Sequence, residues 1–165
     1  MENFQIQVTP VKKSKHLLFD LYNFDFFRKS ERGEAIMLFG ESKFLTTLIA
    51  VPYLVGCELA FFREERYFVK LNERTAAVFV LREKPDTLFV GSLAVAPQYR
   101  RHGLATHILN FSTKVARRMG KGWLELSVLK KNIPARSLYE KAGFAQKEER
   151  KWSLVLRKSV NTESL

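Results

Sequence analysis

Cysteine is all but missing from this chain. Cys57 is the single one among 165 residues, so no intramolecular disulfide can form, no cysteine-based metal centre is available, and a reducing compartment suits the protein. We read Cys57 as a small core hydrophobe. Histidine is also scarce, with three residues. His102 and His107 flank one turn without a third histidine or a carboxylate at ligand spacing, and His16 belongs to no pattern, so we assign no metal site. Long apolar runs are missing too. The most apolar stretch, between Lys43 and Glu58, holds fourteen residues interrupted by Pro52 and Gly56, too few for a membrane span. The first residues, Met-Glu-Asn-Phe, lack the basic start and apolar run of a secretory signal, and we expect a cytoplasmic protein with no membrane partner. There is no internal repeat, low-complexity segment or linker.

What is present fits one globular domain over residues 1–165: 46% apolar and 27% charged residues, enough for a core. Acidic residues are outnumbered 28 to 17, giving a formal charge of +11 and an attraction for anions at long range. The excess is localised. Residues 1–99 hold 13 basic and 12 acidic side chains, whereas 100–158 hold 15 and 4, and twelve of the fourteen phenylalanines precede residue 100. One part reads as an apolar platform and the other as an anion site.

Phe4, Ile6 and Val8 alternate with Gln5 and Gln7, a half-buried strand that Pro10 closes. Leu17, Leu18, Leu21 and Phe24 recur at helical spacing after the cap Ser14, and a second helical region runs from Glu34 to about Ala50 with a bend at Gly40. Strands with turns at Asn72-Glu73 and Lys84-Pro85-Asp86 follow, the clearest being Ala76 to Leu81 and Leu88 to Val95. After Pro97 the period changes: Leu104, Ile108, Phe111, Val115 and Met119 mark an amphipathic helix ended by Gly120 and Gly122. Leu124, Leu126 and Val128 form a strand. Pro134 opens a short helix carrying Ala135, Leu138, Tyr139 and Ala142, which Gly143 stops. Trp152, Leu154 and Leu156 alternate in a last strand that closes a hairpin with the segment after Phe144, and the residues from Ser159 onward look frayed. The sum is an α/β (α+β) domain.

The chemistry concentrates in Leu93-Ala94-Val95-Ala96-Pro97-Gln98-Tyr99-Arg100-Arg101-His102-Gly103-Leu104-Ala105, a strand leading through a basic turn into a helix. A helix start offers unpaired N–H groups and partial positive charge, the small residues Gly103 and Ala105 allow close approach, and Arg100 and Arg101 add full charges. No Gly-Lys-Ser/Thr follows, so this is not a P-loop. The Arg-x-x-Gly-x-Ala spacing at 100, 103 and 105, preceded by a Val-x-Pro strand exit, resembles the acetyl-CoA signature of the GNAT acetyltransferase superfamily. Asn132-Ile-Pro-Ala135-Arg-Ser-Leu138-Tyr139-Glu-Lys-Ala142-Gly143-Phe144, about thirty residues on, resembles that family's Asn-x-x-Ala…Leu-Tyr-x-x-x-Gly-Phe segment. The two motifs and the strand between them cover roughly residues 88–145.

The resemblance implies a mixed, mostly antiparallel central sheet flanked by helices, with an acceptor-side part of about 1–86 and an acetyl-CoA-binding part of about 87–158. It implies that the backbone of Leu93, Ala94 and Val95 pairs with the pantetheine arm. The N–H groups of Arg101, His102, Gly103, Leu104, Ala105 and Thr106, near Arg100, would hold the pyrophosphate. Asn132 would hydrogen-bond the cosubstrate, the Val95 N–H would meet the thioester oxygen, and Tyr139 would protonate the leaving thiolate. The implied activity is acetyl transfer to a primary amine, of a protein or peptide N-terminus or of a small molecule, by direct attack in a ternary complex of a monomer or homodimer. Cys57 lies outside both motifs, which weighs against an acetyl-cysteine route.

One departure stands out. In the ribosomal-protein N-terminal acetyltransferases, nearest in motif, a glutamate base lies five residues before the asparagine; here that position is Ser127. Glu125, two positions away on the same strand face, could relay a proton through water, and the base is left open. An α-amine with a pKa near 8 is about a tenth neutral at pH 7, a lysine amine about one part in a thousand or less, so a missing base hurts a lysine acceptor more. Two rivals have other sequence bases. A nucleic-acid module could use Lys114, Arg117, Arg118, Lys121, Lys130 and Lys131, but this part of the sequence shows no interleaved aromatic-basic stacking motif, its few aromatics, Phe111, Trp123, Tyr139, Phe144 and Trp152, standing mostly at apolar-face positions. A non-catalytic acyl-CoA sensor would keep the cradle without turnover.

Overall fold

The period changes at Pro97 from the strands read over residues 58–95 to alternating helices and strands, and the described backbone follows. A computed structural model describes residues 5–12, 64–72 and 74–161. The two helices expected over 14–29 and 34–50, the Leu21–Phe27 aromatics and Cys57 lie outside the described residues. Strands β1 (Ile6–Pro10), β2 (Glu64–Leu71), β3 (Arg74–Glu83) and β4 (Thr87–Val95) precede helix α1 (Leu104–Arg118). Strand β5 (Trp123–Leu129), helix α2 (Ile133–Lys141) and strands β6 (Ala145–Glu149) and β7 (Ser153–Ser159) follow. The strands hydrogen-bond in the order β1-β2-β3-β4-β5-β7-β6. β4 and β5 run parallel, with α1 as their crossover, while β1–β2, β5–β7 and β6–β7 are antiparallel. This is the mixed, mostly antiparallel sheet the motifs imply.

The chain forms two compact units, one of residues 1–78 with 94–100 and one of residues 79–93 with 101–165. In the first, β1 pairs with β2 from Ile6↔Leu71 to Pro10↔Tyr67, and Val69, Leu71, Ala76, Ala77 and Val78 are buried. Asn72 turns the chain with φ 48, a left-handed conformation asparagine tolerates better than most residues. Ala96 N–H donates to Ala76 C=O at 2.9 Å, tying the end of β4 to β3.

In the second unit, Pro85 and Asp86 make a two-residue turn closed by Lys84 N–H donating to Thr87 C=O at 2.9 Å. The Asp86 carboxylate accepts from Gly122 N–H at 3.0 Å. Lys121, buried despite its charge, donates to Glu83 Oε1 at 2.8 Å and Pro85 C=O at 3.0 Å. These contacts tie the β3–β4 turn to the start of β5. Helix α1 buries Leu104, Ile108, Leu109, Ser112 and Ala116 and sets Phe111 edge-on to Phe79, ring centroids 5.9 Å apart.

The buried stripe differs from the expected one. Phe111 and Val115 are half-buried and Met119 is 40% exposed at the helix end. Small Ser112 and Ala116 occupy the inner face instead, and the Ser112 hydroxyl is satisfied by Ile108 C=O at 2.8 Å. The last strand also departs from alternation. Leu154, Val155 and Leu156 are all buried because β7 is an inner strand between β5 and β6, whereas Trp152 sits in the preceding turn, 71% exposed. Nor does the chain fray at Ser159: Val160 is fully buried, donates to Gly122 C=O at 3.0 Å and accepts from Arg117 Nε at 2.8 Å. Among the described residues, no helix is long and apolar enough to cross a membrane.

Candidate functional site

The parallel ladder between β4 and β5 stops early. It runs from Thr87↔Trp123 to Val90↔Leu126, although β4 continues to Val95 and β5 to Leu129. Two residues past the last pair, Ser92 adopts φ 48, a left-handed conformation inside a strand. For a non-glycine residue that conformation costs about 1–2 kcal/mol, a strain that persists where the surroundings enforce it and that concentrates at ligand sites. The kink accounts for the parting. Where two strands separate, main-chain groups become available to a ligand that can pair with them as a strand would.

Beyond the parting, half-buried Leu93 ends the second unit's stretch of β4. In the first unit, Ala94 is buried, Val95 is half-buried, and a 3₁₀ turn at Pro97–Tyr99 leads to Arg100, whose Nε donates to Val95 C=O at 3.2 Å. In the second unit, Arg101 and Gly103 carry φ 67 and 74 and turn the chain into α1. The start of α1 has no side-chain cap and no acidic residue in its first turn. His107 N–H makes the first bond back to Gly103 C=O at 2.9 Å, so the N–H groups of Leu104, Ala105 and Thr106 lie ahead of the helical ladder. A Cβ on Gly103 would meet nothing within 4 Å. Buried Leu104 anchors the turn while Arg101, His102, Gly103 and Thr106 stay exposed. Open space, uncapped donors and a cation make a cradle for an anion.

Asn132 caps α2: its Oδ1 accepts from Ala135 N–H at 3.3 Å and its backbone C=O from Arg136 N–H at 3.0 Å. Asn132→Ala is expected to lower stability by about 1 kcal/mol, read as a shift in the denaturant midpoint without a change in slope. Tyr139 follows seven residues later, two turns along the same face and about 10 Å up the axis. Its ring is buried and meets Phe144 edge-on at 6.0 Å. Burial alone pushes the Tyr139 hydroxyl up to about 12, so it stays protonated throughout the neutral range. Gly143, with φ 84, ends the segment. Arg136, between the two, donates from Nη1 to Lys130 C=O at 3.0 Å and holds the loop before the helix.

Glu125 is not a free carboxylate. Its Oε1 accepts from Lys147 Nζ at 2.6 Å and Arg157 Nε at 2.8 Å, and Lys84 Nζ lies 3.7 Å from Oε2. Burial pushes its pKa up, but the hydrogen bonds from Lys147 and Arg157 outweigh that and hold it below the usual carboxylate range. The stabilisation is therefore complete above the usual range and is lost as pH falls through the depressed value. Glu125→Gln should remove about 1–3 kcal/mol at neutral pH and flatten the loss of stability below about pH 4. Thermal melts across pH would show both.

The sequence reading missed this cluster. Glu125 faces Arg157 across the β5–β7 ladder, and Lys147 is the extra residue of a bulge between Gln146 and Glu148. Neither register nor bulge is written in local composition. Two cations assigned to a nucleic-acid surface are used internally, Lys121 on Glu83 and Arg117 on Val160 C=O, and a third, Lys130, pairs with Glu149.

Residues 18–144 match the model of the acetyltransferase (GNAT) family. No curated protein sequence gives a significant match. Among solved structures, the PaiA N-acetyltransferase from Thermoplasma acidophilum, crystallised with coenzyme A, superposes with a TM-score of 0.70 at 15% identity over 94% of this chain and 99% of its own. The ribosomal-protein-S18-alanine N-acetyltransferase from Escherichia coli gives 0.67 at 18% identity over 97% of both chains. A spermidine N-acetyltransferase chimera from Vibrio cholerae and hSSAT gives 0.64 at 15% over 94% of this chain and 96% of its own. At these identities the likeness is one of fold, but the family model spans well over half of the sequence, and this chain belongs to the acetyltransferase (GNAT) family.

Proposed function

We propose that the protein transfers an acetyl group from acetyl-CoA to a primary amine by direct attack in a ternary complex. The observation that carries the reading is the start of α1: uncapped, free of acidic residues, and opened by a glycine whose missing side chain leaves room for a pyrophosphate. Its chemistry fits the cosubstrate. The N–H groups from Arg101 to Thr106 and the Arg100 and Arg101 side chains would bind the diphosphate. The backbone of Leu93, Ala94 and Val95 would pair with the pantetheine arm, and the remaining amide hydrogens of Asn132 are free to reach it.

Acetyl-CoA supplies an activated thioester; the rest falls to the protein. Val95 N–H is assigned to the oxygen that becomes negative on attack. Tyr139 keeps its proton at Oη until a thiolate leaves beside it. We assign Glu125 to the ion cluster rather than to base catalysis, because a carboxylate held below its usual range accepts protons poorly. The acceptor then loses its proton to water, a route open to an α-amine or another amine of modest pKa.

Calorimetric titration with acetyl-CoA, paired with free-thiol release over a panel of peptides and small amines, tests the reading. Micromolar binding and acceptor-dependent release are expected. No heat at millimolar acetyl-CoA would overturn it.

A further inference from the structure

The sheet around β5 has two unlike faces. On one, α1 lies over Phe79, as the Phe79–Phe111 contact shows, and Gly143 at the end of α2 lies beside Lys158, the partner of Leu124 across the ladder. On the other face, cross-strand neighbours bring Phe89, Glu125 and Arg157 into one row. Lys84 and Arg82 lie over the Phe89 ring, at 4.8 and 5.6 Å, and Arg157 over Trp123 at 4.5 Å. Lys84, Lys147 and Arg157 gather on Glu125, yet their side chains remain 43%, 40% and 29% exposed while Glu125 is 3% exposed. Glu148, the other carboxylate on this side, is held by Arg150 at 2.8 Å. Among the described residues of this face, cations outnumber carboxylates by three, and both carboxylates are already paired.

Along β5 this row lies one pair before the point where the β4–β5 pairing ends. Ser127, exposed on the same face as Glu125, is the next inward residue along β5, about 7 Å away, beyond the last β4–β5 pair. An amine approaching the strand parting from the side opposite Tyr139 and α2 passes these cations. A polycationic acceptor would be repelled there; a carboxylate carried about two residue lengths from the amine would be attracted.

We infer that the acceptor is an anionic amine, a primary amine bearing carboxylate groups on the side away from the attacking nitrogen, recognised by Lys84, Lys147 and Arg157. This rests on the acetyltransfer reading and adds the acceptor's charge to it. Two sources share that chemistry, a peptide with acidic residues after its N-terminus and a small amino dicarboxylate.

The test uses the full chain saturated with coenzyme A for binding and with acetyl-CoA for turnover. The probes are Ala-Glu-Glu-Phe, Ala-Gln-Gln-Phe and Ala-Lys-Lys-Phe peptides, glutamate and spermidine. The acidic peptide or glutamate should exceed the neutral peptide about tenfold in kcat/KM, the basic peptide and spermidine should fall below it, and the order should compress as salt is raised. Which anionic probe leads identifies the source. In a Lys84→Gln, Lys147→Gln double variant, assayed at a temperature where its melt shows it fully folded, the acidic-to-neutral ratio should shrink to about twofold. Equal use of all probes, a preference for spermidine, or a ratio preserved in the variant overturns the inference. If thiol is released from no acceptor, the acetyltransfer reading fails by itself. Calorimetric affinities for the same peptides then decide the charge preference: an acidic preference lost in the variant sustains it, and no preference ends it.

Discussion

Tyr139→Phe should lower kcat by about a hundredfold or more while acetyl-CoA affinity stays within about twofold, because the substitution removes one oxygen at the reacting end and leaves the ring in place. The variant should also melt no lower than the parent. The Tyr139 hydroxyl donates to no described residue, and its raised pKa has burial as its only cause, so the folded protein carries a desolvated hydroxyl that phenylalanine would spare it. Loss of turnover with undiminished stability would mark a catalytic group, whereas loss of both would return Tyr139 to the core. The pH profile sharpens the test. With the hydroxyl pushed up to about 12, the wild type should show no alkaline decline from this group below about pH 11. Since a thiol ordinarily titrates near 8.5, the phenol serves the leaving sulfur first as a hydrogen-bond donor.

Gly103→Ala carries the second large effect, and Gly120→Ala is its matched control at the other end of the same helix. Both glycines have positive φ, 74 and 66, and a Cβ at either would meet nothing within 4 Å. Each substitution should therefore cost about 1 kcal/mol in backbone strain with no clash. Only at Gly103 does the new methyl enter the space in front of the α1 donors. Acetyl-CoA affinity should fall about 10- to 100-fold for Gly103→Ala and hold within about twofold for Gly120→Ala, as measured by calorimetry. Equal losses would remove the pyrophosphate from this turn.

Features governed by neighbours in sequence were legible. The Pro97 period change, the glycine stops at 120 and 143 and the Asn132 cap are local events, decided by φ preferences and by side chains reaching three residues or fewer. The motifs that resemble the family sit on these punctuated segments, and their parts appear where expected: a glycine-opened helix after β4, and an asparagine and a tyrosine on the helix after β5. Illegible were features set by pairing across long sequence distances. Ser92 reads as an ordinary strand residue, and nothing in its local sequence marks the left-handed φ it adopts just past the last β4–β5 pair. Ser112 and Ala116 look like poor core residues, yet their small size lets α1 approach the sheet. Glu125 looks like a spare acid until the β5–β7 register supplies Arg157 and a bulge turns Lys147 toward it. The charge reading is coarse in place, since Arg117, Lys121 and Lys130 of the second half are spent on internal acceptors.

The borders of the sheet have a consequence for how the molecule meets others of its kind. Among the described strands, one border is β1, five residues long and ending in Pro10, which has no N–H to offer. The other is β6, exposed at every residue, interrupted by its bulge and lined with Lys147, Glu148 and Glu149. Neither presents a regular, apolar template on which a stray chain could lay itself down. Such blunted rims discourage runaway strand-by-strand growth and keep a well-paired sheet from seeding aggregates at the concentrations a cell maintains.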